Sequence, residues 1–262
     1  MASVDVRLPA LHYEVQGHGE PLLLMHGAGE DATILAPLAK SLTAGGFRTI
    51  AYERRGTGRS SRDDWPGEDV SRHIGDAIDL LATVAGQPAA VLGLSSGGVL
   101  ALELAMRRPD LVTEAIAWEP PAITVLDEAD ELHAMLMAPV EAYLAEHPYD
   151  WTGAYDVMLG SISGGQADLA DPRVAAMRRN AEAAVRDDAQ VITRHRLSMD
   201  KLAAAQAVLA IGEQPTELHA RIVDELSARS GLPVWRVPGA DDHEVYLDRP
   251  DVLAKALLSR RT

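Results

Sequence analysis

Six residues, Gly93-Leu94-Ser95-Ser96-Gly97-Gly98, join an unbroken apolar run, Ala89–Leu94, to an apolar helical stretch, Ser96–Arg108. A run that is apolar at every position reads as a strand buried on both faces, which occurs where helices cover both sides of a parallel sheet. The junction follows the pattern G-x-S-x-G. A serine forced into a tight strand-to-helix turn projects its Oγ above the sheet, and the residues two before and two after it must be tiny because strand and helix nearly touch there. Ser95 is therefore the candidate nucleophile, and the Ser96 backbone N–H points toward the place where an oxyanion would form.

The rest of the chain repeats the alternation of short apolar runs and longer helical patterns. Strands are expected at Val6–Gln16, Leu22–His26, Phe47–Glu53, Ala89–Leu94, Val112–Glu119, Gln206–Ile211 and Leu232–Val237. The first two flank the turn Gly17-His18-Gly19-Glu20-Pro21 as a hairpin-like pair. Val70, Ile74, Ile78, Leu81 and Val84 recur at helical spacing and predict one amphipathic helix over Asp69–Ala85. Residues 122–200 carry no strand signal and read as helices broken at Pro139, Pro148 and Gly164-Gly165. The expected organisation is an α/β core of residues 1–121 and 201–262, with a mostly parallel central sheet flanked by helices, and a helical insertion at 122–200. Met135, Met137, Met158, Met177 and Met199 fall in or beside that insertion, where thioethers suit either an adaptable apolar ligand surface or a small helical core.

Composition narrows the function classes. With 24 Lys+Arg against 39 Asp+Glu the formal net charge is −15, which opposes binding to nucleic acid or to anionic lipid. Arg54, Arg55, Arg59 and Arg62 form a local basic run beside Glu53, Asp63 and Asp64 and read as a solvated loop; the insertion's Arg178, Arg179, Arg186, Arg194 and Arg196 read as a hydrated helix face. The chain contains no Cys, so thiolate metal sites and cysteine nucleophiles are excluded. The N-terminus has no signal-peptide pattern and no apolar run approaches the ~20 residues of a membrane span. A cytoplasmic protein acting on a small molecule, with a homodimer left open, is the expectation.

At this point the chain resembles the α/β-hydrolase superfamily. His26-Gly27-Ala28-Gly29 after the second strand is similar to the family's H-G-x-G oxyanion loop, and Glu53-Arg54-Arg55-Gly56-Thr57-Gly58-Arg59-Ser60 to its D-x-R-G-x-G-x-S turn, with Glu in place of Asp. Pro238-Gly239-Ala240-Asp241-Asp242-His243 is similar to the G-x-G-H segment after the last strand, one residue longer and lacking the second glycine. The resemblance implies the α/β-hydrolase fold with 122–200 as a helical cap, Ala28 N–H as a second oxyanion donor beside Ser96 N–H, His26 with Gly27 and Gly29 supporting that loop, and no metal or organic cofactor. Other histidines, His133, His147 and His195, fall in the insertion.

A serine hydroxyl needs an imidazole to take its proton and a carboxylate to orient that imidazole. His243, on the loop after the final strand, is the candidate general base. The acid departs from the common family pattern, because Gly212-Glu213-Gln214-Pro215 places proline where the usual Asp would stand. Glu119, ending the strand after the nucleophile helix, is the candidate instead, as in some family members; Glu213 and Glu217 are the alternatives. Serine at position 95 argues against the dehalogenases and epoxide hydrolases of this fold, which attack with Asp, and Glu244 against hydroxynitrile lyases, which carry Lys there. The reading is a serine hydrolase of a small, moderately apolar ester or lactone. Two rivals stand beside it: a non-hydrolytic relative (receptor, cyclase or lyase) using the same pocket, and an NAD(P)-binding oxidoreductase, since Gly27-Ala28-Gly29-Glu30-Asp31-Ala32 fits G-x-G-x-x-A and Glu53 ends the next strand.

Overall fold

A computed structural model describes residues 10–260 of the chain. Among these, seven strands form one sheet: β1 (Tyr13–Gln16), β2 (Glu20–Met25), β3 (Phe47–Tyr52), β4 (Ala89–Leu94), β5 (Val112–Trp118), β6 (Ala207–Ile211) and β7 (Val234–Arg236). Their spatial order is β1-β3-β2-β4-β5-β6-β7. Every pairing is parallel except β1 with β3. Residues 6–9 of the predicted first strand lie outside the described residues. The expected hairpin-like pairing of the first two strands does not form. All of β2 after Glu20 is buried, so it needs a partner on each edge and takes β3 and β4, whereas the half-exposed β1 is suited to the sheet margin.

The sheet divides the core in two with the period of a strand. Leu23, Met25 and Val91 face one cluster, together with α2 (Ser71–Leu80), α3 (Ser96–Arg107) and α9 (Glu217–Ser230). Leu22, Leu24, Leu92 and Leu94 face the other, against α1 (Ala36–Ala44) and α11 (Pro250–Ser259). The helix predicted over Asp69–Ala85 is α2 continued by a π-helical turn, Leu81–Ala85, and stopped by Gly86 in the left-handed region at φ 72°, a conformation that glycine adopts without penalty.

Only helix and turn occur between β5 and β6. The main elements are α4 (Ala129–Glu146), α5 (Trp151–Ile162), α6 (Pro172–Met177), α7 (Ala181–Ala183) and α8 (Met199–Ala203). From α7 the chain continues without a break as π-helical turns over Ala184–Ile192. Pro148 and Gly164-Gly165 separate helices as expected, but Pro139 lies inside the continuous helix α4. The carbonyl that Pro139 cannot bond is that of Met135, whose side chain is exposed, so water can satisfy it. Met137, Met158 and Met177 are buried with Val140, Tyr155 and Val185 in a third cluster that packs against Ala28 and Ile34 of the β2–α1 loop. These three methionines therefore fill a small core, and Met135 faces solvent. A short helix, α10 (Val245–Asp248), follows the loop after β7. The carboxyl ends of the parallel strands lie along one edge, where α/β sheets bind ligands, and there the chain leaves β2 at His26, β4 at Ser95 and β5 at Glu119.

Candidate active site

Ser95 connects β4 to α3 with φ 50° and ψ −121°, a strained conformation for a residue with a side chain. The close approach that imposes it is visible at the flanking glycines. A Cβ on Gly97 would overlap the Met25 carbonyl and one on Gly93 would overlap the Gly97 carbonyl. The turn is pinned by Ser95 N–H to the Trp118 carbonyl at 2.9 Å and by Gly98 N–H to the Ser95 carbonyl at 2.7 Å. Ser96 opens α3, so its N–H belongs to the positive end of a helix.

Glu119 is the next residue after β5 and is fully buried at φ 38°. Its Oε1 accepts Gly212 N–H at 2.9 Å, and its Oε2 lies 2.7 Å from His243 Nδ1. Burial pushes this carboxyl upward, but the His243 bond, the electrostatic influence of the neighbouring His243 and His219 rings and the Gly212 N–H outweigh it and hold it below the ordinary Glu value. An ionised Glu119 fixes the His243 proton on Nδ1 and leaves a lone pair on Nε2. Glu213 and Glu217 are exposed and their carboxylates are not the partners of His243.

A closed circuit of contacts joins His243 to the serine turn. Trp118, whose carbonyl holds Ser95 N–H, donates Nε1–H to the His243 carbonyl at 2.9 Å. The His243 ring meets Tyr246 edge-on at 6.3 Å, and Tyr246 donates its hydroxyl to Glu30 Oε1 at 2.6 Å. Glu30 Oε2 accepts Gly27 N–H at 2.9 Å. A Cβ on Gly27 would stand 3.0 Å from Glu30 Oε1 and 3.2 Å from Ser95 Cβ, which returns the circuit to its start. Ser95, Ala28 and His243 are each half-buried on this edge.

In the oxyanion loop, His26 Nδ1 donates to the Gly27 carbonyl at 2.8 Å and His26 Nε2 accepts Arg54 N–H at 3.0 Å. Burial, together with the Arg54 charge, holds this imidazole well below its usual value and keeps it neutral. Its contacts are those of a residue that supports the loop.

Several site residues carried no signal in the sequence. His219 stacks on His243, with ring centroids 4.4 Å apart and planes 9° from parallel, and its Nδ1 is 3.6 Å from Glu119 Oε2. Burial and the neighbouring His243 push its pKa down to about 3, so it is a neutral slab against the His243 ring. Glu119, His219 and His243 bring three ligand atoms within 4.8 Å of one another. Stacked rings hold their in-plane lone pairs in separate parallel planes, however, and a tetrahedral metal needs them to converge on one point. The arrangement fits an orienting contact and does not fit a metal centre.

Glu30 stands in the sequence only as a variable position of a glycine motif. Burial raises its pKa to about 7 against the opposing influence of Tyr246, Gly27 N–H, His243 and Arg54. A carboxyl raised from 4.5 to about 7 on folding costs stability progressively between those two values, on the order of 3 kcal/mol once fully ionised. Glu30→Gln is expected to gain stability over wild type by up to that amount at pH 8 and to show little difference near pH 4.5. Denaturant titrations of both proteins at the two pH values check this, and a pH-independent difference would exclude it.

Half of the basic run departs from the solvated loop expected of it, while Arg59 and Arg62 are exposed as expected. Arg54 and Arg55 are buried. Arg54 pairs with Asp188 at 2.6 Å and Arg55 with Asp76 at 2.7 Å. Their partners are 134 and 21 residues away, beyond the reach of local charge patterning. The insertion arginines Arg178, Arg179, Arg186 and Arg194 pair with Asp156, Asp31, Glu182 and Asp130. His133 bonds the Ala189 carbonyl and His195 bonds Glu103, so neither joins the serine edge. The dinucleotide fingerprint also fails on geometry. No helix begins until Ala36, Gly27 N–H is taken by Glu30, and the Glu53 carboxylate is held by Arg59 at 2.6 Å.

A family model described as "Serine aminopeptidase, S33" matches residues 18–260. The chain is an α/β hydrolase of this family. Among curated proteins, the hydrolase resembles an uncharacterized hydrolase, YraK, of Bacillus subtilis at 39% identity over 117 residues, 44% of this chain and 43% of that protein. This match, like several others, spans less than half the relative's length. Over 97% of its length the chain is 28% identical to the 2-(acetamidomethylene)succinate hydrolase of Mesorhizobium japonicum, covering 92% of that protein. A carboxylesterase structure from Nitrososphaera gargenis superposes with a TM-score of 0.75 over 96% of both chains at 22% identity, a likeness of fold. Among the described residues of the hydrolase, no helix is long and apolar enough to cross a membrane.

Proposed function

We propose that this α/β hydrolase cleaves a small, moderately apolar ester or lactone through an acyl-enzyme on Ser95, with His243 as general base and Glu119 as the acid that orients it. The observation that carries the reading is the 2.7 Å contact between Glu119 and His243, 124 residues apart in the chain. It sits at a strand end whose preceding residue, Trp118, holds the backbone of the serine turn. Proton transfer from Ser95 Oγ to His243 Nε2 accompanies attack on the acyl carbon, and the imidazolium returns that proton to the leaving oxygen. Water then repeats the sequence against the acyl-enzyme. The oxyanion of each tetrahedral intermediate is placed between Ala28 N–H and Ser96 N–H; one such donor contributes roughly 3–4 kcal/mol to the transition state. The helical segment that packs on Ala28 and Ile34 serves as the cap and supplies apolar surface toward the acyl group. The reading includes a cytoplasmic enzyme that needs no metal or organic cofactor. Relatives named as a 2-(acetamidomethylene)succinate hydrolase and a putative carbamate hydrolase support the reading of acyl transfer to water.

A fluorophosphonate probe is the direct test, because it reacts with a serine only when a base and an oxyanion site activate it. Stoichiometric labelling mapped by peptide mass to Ser95, with parallel loss of nitrophenyl ester hydrolysis, is the expected result. Folded protein that remains unlabelled would exclude the hydrolase and favour a non-hydrolytic use of the pocket.

A further inference from the structure

Below the oxyanion loop lies a buried ion pair that the proton relay does not use. Arg54 Nη2 donates one hydrogen to the Gly27 carbonyl at 3.1 Å and the other to Asp188 Oδ1 at 2.6 Å. Asp188 Oδ1 also accepts the Ser96 hydroxyl at 2.5 Å. Both members of the pair are almost completely buried. From these contacts we infer that Arg54 is a positioning residue for the oxyanion hole and that Asp188, brought in by the helical segment, ties Arg54 to the second arm of that hole at Ser96. The inference rests on the hydrolase reading above and deepens it.

The Gly27 carbonyl and the Ala28 N–H belong to one planar trans unit, so they point in opposite directions. Whatever grips the carbonyl aims the N–H. Two donors grip it: neutral His26 through Nδ1 at 2.8 Å, and the Arg54 guanidinium. A charged donor on the carbonyl draws electron density toward oxygen and makes the opposite N–H a stronger donor. Arg54 thus places a fixed positive charge on the far side of the peptide from the developing oxyanion, at a depth where water does not screen it.

Asp188 has the complementary task. Its Oδ1 spans from the guanidinium to the side chain of Ser96, the residue whose N–H is the other donor. Both arms of the hole are therefore referred to one pair of charges. The groups facing the pair from neighbouring elements are accounted for. Asp187 binds His73 Nε2 at 2.8 Å and Trp65 Nε1 at 3.0 Å, and Tyr52 approaches Arg54 electrostatically. Arg54 Nε, Arg54 Nη1 and Asp188 Oδ2 are buried with no hydrogen-bond partner among the described residues. A buried pair with unmet hydrogen bonds is a poor source of folding stability, which favours a role in placing the loop over a role in holding the fold.

The experiment compares wild type, Arg54→Met and Ser96→Ala on one nitrophenyl ester, and measures inhibition by a trifluoromethyl ketone of matching acyl length. Arg54→Met is expected to lower kcat on the order of 10²-fold, the loss typical of one oxyanion contact, with KM changed less than about threefold. The ketone, which forms an oxyanion adduct, should lose affinity in proportion to kcat/KM. Ser96→Ala keeps the backbone donor, suits a first helical turn and removes only the hydroxyl tie; a roughly tenfold loss in kcat with the same proportional loss of ketone affinity is expected. It carries the question if Arg54→Met does not fold. Folded variants with unchanged kcat, or with losses confined to KM or to thermal stability, would overturn the positioning role alone. Wild-type protein inert to both ester and fluorophosphonate would instead overturn the hydrolase reading and, with it, this one.

Discussion

Ser95→Ala is expected to reduce kcat on nitrophenyl esters by on the order of 10⁴–10⁶ while KM stays within a few-fold. In the proposed mechanism the substitution removes the atom that forms the acyl bond and leaves the pocket that binds the substrate. It touches little else. Alanine at φ 50° is no more strained than serine, and both hydrogen bonds that pin the turn use the backbone of residue 95. Residual turnover above the uncatalysed rate should survive, because the Ala28 and Ser96 N–H groups still meet an oxyanion formed by direct attack of water. Steady-state kinetics on protein whose melting temperature matches wild type provide the check, and a kcat within tenfold of wild type would remove Ser95 from the chemistry.

Glu119→Gln is expected to cost on the order of 10³–10⁴ in kcat, through a tautomer and not through a lost contact. Glutamine fills the same volume and its carbonyl can still accept Gly212 N–H, as Oε1 does now at 2.9 Å. Its amide nitrogen then faces His243 Nδ1 where a carboxylate oxygen stood at 2.7 Å. A donor in that place requires Nδ1 to be an acceptor, so the imidazole proton moves to Nε2. There it occupies the lone pair that the proposed mechanism needs as proton acceptor. The charge that stabilises the imidazolium disappears as well. The expected signature is a large fall in kcat with fluorophosphonate labelling slowed to a similar degree. Full activity in Glu119→Gln would assign the orienting role elsewhere, and His219, stacked on His243, is too far below neutrality in pKa to replace a carboxylate.

The parts of the site that were legible in the sequence are those set by local chain geometry. Gly93, Ser95 and Gly97 announce themselves because strand and helix approach so closely that only hydrogen fits at two of the three positions, and the apolar run before them identifies the strand. Glu119 was legible as a strand end, and the proline at position 215 directed attention to it by excluding the ordinary alternative. What stayed hidden depends on encounters between distant segments. Arg54 reads as a loop charge until Asp188 is folded against it. His219 occupies the first turn of a helix capped by Thr216, and nothing in that spacing reveals a ring stacked on His243. Strand order followed the same rule: the pattern of β1 identifies a strand, but its place beside β3 follows from β2 having two buried edges to satisfy. Pro139 goes against a strong local rule, since α4 runs on through a residue that cannot donate to the Met135 carbonyl.

Asn180 bonds the carbonyls of Gly29 and Glu30 and accepts Gly58 N–H, while Asp187 and Asp188 reach into α2 and α3 from the π-helical turns. That stretch of the insertion is hydrogen-bonded into the strand-end edge, whereas α4 and α5 meet the β2–α1 loop through apolar packing on Ala28 and Ile34. Exchanging substrate preferences by transplanting the whole segment from another hydrolase would import foreign anchors beneath the reacting carbon. A graft that ends before residue 180 leaves the seam intact and confines the change to the roof.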